Sequence, residues 1–488
     1  MCRLRITGKM SSKKFSMKNW IALGIVLALT IFLWSVPASF FKIEGLTPVM
    51  QRTIAIFVFT ALMWIIEVIP AWTTSVVSMV IMLLTISDKG LSFMRYDGAG
   101  DYVDYKSIMA AFADPVIMLF LGGFVLAGAA SKVGLDVILA KAMLKPFGRN
   151  PKMVLLGFLF IIGTFSMFMS NTATAAMMLT FLVPVLDALP KDEKGKIGLA
   201  LAIPIAANIG GMGTPIGTPP NAIALGALRS AGIEVTFVEW MIRMVPYVVI
   251  MLLLAWVFLM LMFPFQAKSV ELKIEETHVS SMTHKVIVSI TFAVTIILWV
   301  GEALFGISAN IVALIPFAVF TVTGIFSQDD LRDIDWSVLW MVAGGFALGT
   351  ALNRTGLAHA LIQAVPFSQW NVIVVMIAGG LICWSLSNFI SHTAASNLII
   401  PILAVVGTAL LDESASCGEF MAIGGMKSLI IGVAMCASLA MVLPISTPPN
   451  ALAHSTGIIG SKQMAVVGLL VGVIGIVLAY LMLVLIGF

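Results

Sequence analysis

Two short polar triplets sit in the middle of apolar stretches. One is Ser170-Asn171-Thr172, inside GTFSMFMSNTATAAMML, and the other is Ser391-His392-Thr393, inside SLSNFISHTAASNLII. Their hydroxyl and amide groups can coordinate a cation or hydrogen-bond a carboxylate without a fixed buried charge. A bare polar group in hydrocarbon costs several kcal/mol unless it is satisfied, so both clusters need partners. Matching clusters in two halves of one chain point to a binding site built jointly by the halves. One helical turn before each triplet stands another serine, Ser166 before Ser170 and Ser387 before Ser391, on the same helical face. Small polar residues also mediate helix packing in membranes, and that reading stands for Ser166 or Ser387 taken alone.

A second pair of motifs accompanies the triplets. Thr218-Pro219-Pro220-Asn221 and Thr447-Pro448-Pro449-Asn450 lie inside otherwise apolar spans. Proline lacks the amide donor and clashes with the preceding turn, so two in a row predict a broken helix. Gly210-Gly211-Met212-Gly213 loosens the backbone ahead of the first pair. A break exposes carbonyl oxygens, the ligands a hard cation such as Na⁺ takes. The half-helix beyond it presents free N–H groups and a positive dipole end to an anion. A simple kink would not require the same tetrapeptide in both halves.

These elements must be positioned in a membrane. The chain of 488 residues is 60% hydrophobic and 11% charged, against about 25% charged for a soluble domain. The expected fold is an all-α polytopic membrane protein with no soluble domain. Eleven spans are predicted near 19–41, 53–70, 71–87, 108–135, 197–228, 238–264, 285–303, 308–326, 336–358, 425–456 and 464–487. The stretches 153–190 and 371–411 carry the triplets. The arm from Met153 to Met169 is about 25 Å long at about 1.5 Å per residue, short of a hydrocarbon core of roughly 30 Å. Each is therefore predicted as a re-entrant hairpin whose tip lies near the midplane; the alternative is two short spans joined at the surface. The first apolar run follows Lys13, Lys14 and Lys18 with no cleavage-site pattern, which predicts a first helix rather than a removed leader. The four cysteines, Cys2, Cys383, Cys417 and Cys436, have no metal-ligand spacing.

Loop charges orient the layout. With residues 1–18 and the linker 266–284 inside, most of the 28 lysines and arginines fall on that side, and Asp412, Glu413 and Glu419 fall outside. This predicts the N-terminus inside and the C-terminus outside. An internal duplication explains the paired motifs. LGGFVLAGAASKVGL (121–135) parallels AGGFALGTALNRTGL (343–357), and GTPPNAIA (217–224) parallels STPPNALA (446–453). Together with the triplets, three blocks recur in the same order, which divides the chain after residues 19–52 into repeat 1 (53–265) and repeat 2 (285–488). Each holds five spans and one hairpin. An odd number of spans inverts the second copy, the architecture of secondary transporters.

Ser-Asn-Thr at two hairpin tips, each with a Thr-Pro-Pro-Asn break, resembles the divalent anion/sodium symporter family of di- and tricarboxylate and sulfate carriers. WIIEVIPAWTTSV (64–76) and DPVIMLFLGGFVLAG (114–128) resemble further family signatures, and the likeness covers almost the whole chain. The resemblance implies an inner-membrane homodimer that works as an elevator. Hairpins and broken helices would carry the substrate against a scaffold of other spans. It implies one Na⁺ site at Ser166, Ser170, Asn171 and the backbone at Gly217. A second would use Ser387, Ser391 and the backbone at Ser446. Substrate carboxylates would meet Asn171 and Thr172 on one side, and Thr393 with Thr447-Pro448 on the other, with Thr218-Pro219 closing the first. The expected cargo is a small dianion, a C4-dicarboxylate by the context of the first triplet, with Na⁺ as coupling ion and no nucleic-acid partner. Exchange of carboxylates without Na⁺, and symport of sulfate, are the alternatives; an enzyme is not expected.

His392 departs from the family, which usually has Asn there. An imidazole can donate to a substrate carboxylate and can carry a proton near neutral pH, or it can be a neutral group that packs the tip. Elsewhere, Glu67 is an ionisable group beside Pro70 at a span end, read as capping or snorkelling. His454 follows the second Pro-Pro pair and could line the cavity. His278 and His284 are read as solvated, and the 31 methionines as apolar filler.

Overall fold

A computed structural model describes residues 17–190, 192–270, 281–364, 371–412 and 414–488. Of the features read from the sequence, Cys2, the basic residues before Met17, Lys191, Lys273, His278 and Glu413 lie outside these residues. The described residues are helical and contain no β-strand; an isolated bridge joins Ser87 and Val103. Nine of these helices are long and apolar enough to cross a membrane, from Met17–Ser35 to Ser461–Ile486. Every expected span contains a helix, but Ala71–Thr85 and Ala309–Val322 are shorter, and the spans carrying Thr-Pro-Pro-Asn are split. The helix Met282–Val300 begins earlier than expected and takes His284 into its first turn.

Each triplet sits where one helix stops and the next starts. The first hairpin comprises Pro151–Phe168 and Asn171–Asp187, and the second Val372–Ser387 and His392–Asp412. Entry into both is capped: Asn150 accepts from the Lys152 amide and Asn371 from the Val374 amide. The turn at Met169 and Ser170 is extended, and Ser170 caps the returning arm by accepting from the Ala173 amide.

The broken helices are refined in one respect. The prolines do not interrupt a helix in its middle. They occupy the first positions of the second half, where a missing N–H costs nothing. Gly195–Gly211 ends, a loop follows, and Pro219–Ser230 begins; likewise Gly425–Ser438 ends and Pro448–Ser455 begins.

The hairpin arm Pro151–Phe168 packs along Gly195–Gly211, and both arms of the second hairpin pack on Gly425–Ser438. A Cβ on Gly210 would collide with the backbone of Gly163, so this close approach needs glycine. The second halves cross over: Pro448–Ser455 packs on the returning arm of the first hairpin, and Pro219–Ser230 on that of the second. Around this core, Ala71–Thr85, Tyr105–Val133, Met282–Val300, Ala309–Val322 and Trp336–Arg354 form a frame. Trp20, Ile21, Ile25 and Phe32 of the first helix are exposed, as a lipid-facing surface requires.

Candidate functional site

The helix starting at Pro448 lies along the one starting at Asn171, and the helix starting at Pro219 along the one starting at His392. Four helix starts thus belong to two packed pairs, each helix with the positive end of its dipole at that start. The two Pro-Pro starts have no N–H at their first two positions, and the amides of Asn221 and Asn450 are taken by Thr218 O and Thr447 Oγ1. No formal charge belongs to the triplets or tetrapeptides that surround them. The arrangement suits an anion held by dipoles and neutral donors.

The two loops between half-helices are stapled from within. Asn221 Nδ2 donates back to the carbonyls of Gly211 (3.0 Å) and Thr214 (2.8 Å). Asn450 Nδ2 does the same to Met441 (2.9 Å) and Leu443 (3.0 Å). Both asparagines are buried. Each loop is therefore held in shape by carbonyls turned inward to its asparagine. Thr447 adds a cap, its hydroxyl accepting from the Asn450 amide at 3.2 Å.

In repeat 1 the oxygens converge. Ser166 Oγ donates to the Ala207 carbonyl at 2.7 Å and is fully buried. The tip of the Asn171 amide lies 2.6 Å from Ser166 Oγ, 3.2 Å from Ala207 O and 3.0 Å from Gly217 O. With its nitrogen turned inward the amide has two N–H groups to share among these three acceptors. With its oxygen turned inward it completes a nest of oxygens, the cradle a hard cation takes. A Cβ on Gly217 would lie 2.8 Å from Ser166 O and would collide with Gly211 O, so glycine at 217 is what lets these carbonyls approach. Ser166, Asn171 and Gly217 are brought together as expected. Ser170 stands apart, its hydroxyl spent on the Ala173 cap, beside a cavity of about 320 Å³ bounded by Phe124, Ser131, Asp330 and Asp335.

Repeat 2 is built differently. His392 Nε2 lies 2.7 Å from the Ala440 carbonyl. A carbonyl only accepts, so Nε2 carries the proton. Ser391 Oγ accepts from the Ala394 amide (3.2 Å). Ser446 Oγ donates to Leu443 O (2.7 Å). Ser387 Oγ is buried and has no hydrogen-bond partner among the described residues. Asn388 Oδ1 accepts from the Val442 amide, fixing the tip to the loop.

Thr172 and Ala173 at the first tip are exposed, whereas His392 and Thr393 at the second are buried. Thr218 and Thr447 are buried, Pro219 half-buried and Pro448 exposed. The site opens at the end of the core that carries the first hairpin tip. A larger cavity of about 750 Å³ lies toward the other end of Trp336–Arg354, beside Phe346, Asn353, Arg354 and Thr408.

Asn208 was not singled out from sequence. Its Nδ2 donates to Thr447 Oγ1 and Asn450 Oδ1, both at 3.3 Å, and the Asn171 amide approaches its Oδ1 at 3.5 Å. A lone amide in the apolar run AIPIAANIGG was the available signal. Glu67 ends the helix Pro48–Ile66 in a left-handed conformation, in keeping with a span-end role. His454 meets Ser461 Oγ at 3.0 Å.

The model of the citrate transporter family (CitMHS) matches residues 61–424. The chain belongs to this family. The transporter is similar to the sodium-dependent dicarboxylate transporter SdcS of Staphylococcus saprophyticus, with 28% identity over 97% of this chain and 92% of the relative. It is 30% identical to an uncharacterized transporter of Haemophilus influenzae, over 96% of this chain and 97% of that one. These likenesses support membership of the divalent anion/sodium symporter group, and a role as transporter rather than enzyme. Among solved structures, Neisseria gonorrhoeae MtrF, described within a class of antimetabolite efflux pumps, aligns with a TM-score of 0.53 at 12% identity over 86% of this transporter and 95% of MtrF. The Alcanivorax borkumensis YdaH transporter aligns with a TM-score of 0.53 at 13% identity, over 77% and 87%. At such identity they speak to fold alone.

Proposed function

We propose that the protein imports C4-dicarboxylates of the succinate, malate and fumarate type, driven by Na⁺. The observation that carries this reading is the convergence of Ser166 Oγ, Ala207 O and Gly217 O on the Asn171 amide, beside paired helix starts. A cation cradle next to an anion site lets each ion raise the affinity for the other. Na⁺ would sit at Ser166, Asn171 and the Gly217 carbonyl. The dianion would meet Asn171 and Thr172 on one side, and Thr393 with Thr447-Pro448 on the other. Thr218-Pro219 would help close the first side. The name of the staphylococcal relatives supports both the cargo class and the ion.

The two triplet hairpins act as re-entrant hairpins among eleven spans, and the core they form with the broken helices moves as an elevator against the frame of a homodimer. The exposed first tip and buried second tip support one end state of such a cycle. With the N-terminus cytoplasmic and the C-terminus outside the inner membrane, that state faces inward.

Uptake into proteoliposomes tests the reading, with succinate, malate, fumarate, citrate and sulfate each offered with and without a Na⁺ gradient. Na⁺-stimulated uptake of the C4 acids is expected. Uptake selective for sulfate overturns the cargo, and counterflow of carboxylates indifferent to Na⁺ overturns the coupling.

A further inference from the structure

The inverted repeats allow the two candidate cation sites to be compared position by position. By the matched blocks, Ser166 corresponds to Ser387, Asn171 to His392 and Gly217 to Ser446. In repeat 1 the groups at these positions are oxygens, or an amide that can turn an oxygen inward. Gly217 has no side chain, and the carbonyls of Ser166 and Gly211 crowd the space a Cβ would need.

Repeat 2 fills the same space with its own donors. The imidazole aims an N–H at Ala440 O, one residue ahead of the stapled Met441 carbonyl. An imidazole has no oxygen to turn inward, and it donates from Nε2 whether the ring is neutral or charged. At the position of Gly217 stands Ser446, which has a Cβ and a hydroxyl that donates to Leu443 O and accepts from Asn450 Nδ2 at 3.2 Å. Ser391 Oγ is held by the Ala394 amide. Ser387 Oγ remains, one buried hydroxyl without a hydrogen-bond partner among the described residues. Hard cations take several oxygen ligands at once, and these residues do not offer them. The second Na⁺ site implied by the family resemblance does not fit this chain.

We propose that the second repeat binds no Na⁺, and that the His392 N–H stands permanently where the ion would otherwise bridge hairpin tip and loop. The tip of hairpin 2 is then tied down by a group that never leaves, and coupling falls to the repeat 1 cradle. Each transport cycle carries one cation fewer than a protein with Asn at position 392 would carry. This inference rests on the reading of the protein as a Na⁺-coupled dicarboxylate transporter.

The test uses full-length protein in proteoliposomes with radiolabelled Na⁺ and succinate. Ser166→Ala is expected to weaken the apparent Na⁺ affinity by about tenfold or more, while Ser387→Ala leaves it unchanged. His392→Asn is expected to add one Na⁺ per succinate and to steepen the Na⁺ dependence of uptake. Equal losses from Ser166→Ala and Ser387→Ala would overturn the proposal, as would an active His392→Asn protein with the wild-type ion ratio. If His392→Asn fails to fold, the serine pair decides alone. Wild-type succinate uptake that ignores Na⁺ is a distinct result, which overturns the coupling reading and this inference with it.

Discussion

Asn208 Nδ2 in the first repeat donates to Asn450 Oδ1 in the second at 3.3 Å, across 242 residues of sequence. Asn450 is the residue that staples the second loop, and Asn208 also approaches the Asn171 amide at the first hairpin tip. One buried amide thus links the oxygen nest of one repeat to the loop of the other.

Asn208→Ala removes that link without adding a charge. Leaving buried partners short of a donor costs about 1–3 kcal/mol. The variant is expected to unfold at a lower temperature in detergent. Its apparent affinities for Na⁺ and for succinate are expected to fall together. Thermal unfolding with each ligand in turn checks this; weakening of one affinity alone would contradict it.

Gly217→Ala is expected to fold and to lose Na⁺ coupling. The added Cβ meets backbone oxygens of Ser166 and Gly211 rather than flexible side-chain ends, so the loop itself must shift. A fall in apparent Na⁺ affinity of about tenfold or more follows, measured by the Na⁺ dependence of succinate uptake.

Asn171→His copies the chemistry of the second hairpin tip into the first. The rigid ring cannot present an oxygen to the carbonyls of Ala207 and Gly217, and its N–H takes one of them instead. Stimulation of uptake by Na⁺ over choline is expected to disappear, while Asn171→Asp retains it.

Arg229, at the end of the half-helix Pro219–Ser230, forms an ion pair with Asp114, which also caps Pro115–Val133. The pair ties core to frame in the state described. Partly exposed pairs contribute up to about 1 kcal/mol, so Arg229→Gln is expected to shift the balance away from this state by about fivefold or less. Thr172 is exposed here. Reaction of a Thr172→Cys protein with an impermeant thiol reagent should slow when Arg229→Gln is added. Faster reaction would contradict the role of the pair.

Much of this was legible in the sequence because hydrophobic patterning and repetition are strong signals. The apolar runs, the triplets at helix ends and the paired breaks all stand where the pattern required. The role of the prolines was less legible. Their chemistry forbids a helix interior but allows its first positions, and only the path of the chain decides between the two. The meeting of Ser166 with Ala207 O depends on how the hairpin arm packs along the last turns of Gly195–Gly211, and sequence does not name that register. The separation of Ser170 from the nest has the same origin: a serine at a helix start has its hydroxyl claimed by the cap. The departure at His392 was visible as a residue change. Its consequence required the distance to Ala440.

The crossing of the half-helices bears on how the protein is made. The first hairpin tip and the loop ending at Thr218 are complete early in synthesis, but Pro448–Ser455, which packs on the first hairpin, and Asn450, which pairs with Asn208 from 242 residues away, are made much later. Until then the polar tip of repeat 1 waits in the bilayer without its final partners. Biogenesis must therefore keep the early half pliable and sheltered, and the site closes as a unit when the last helices arrive.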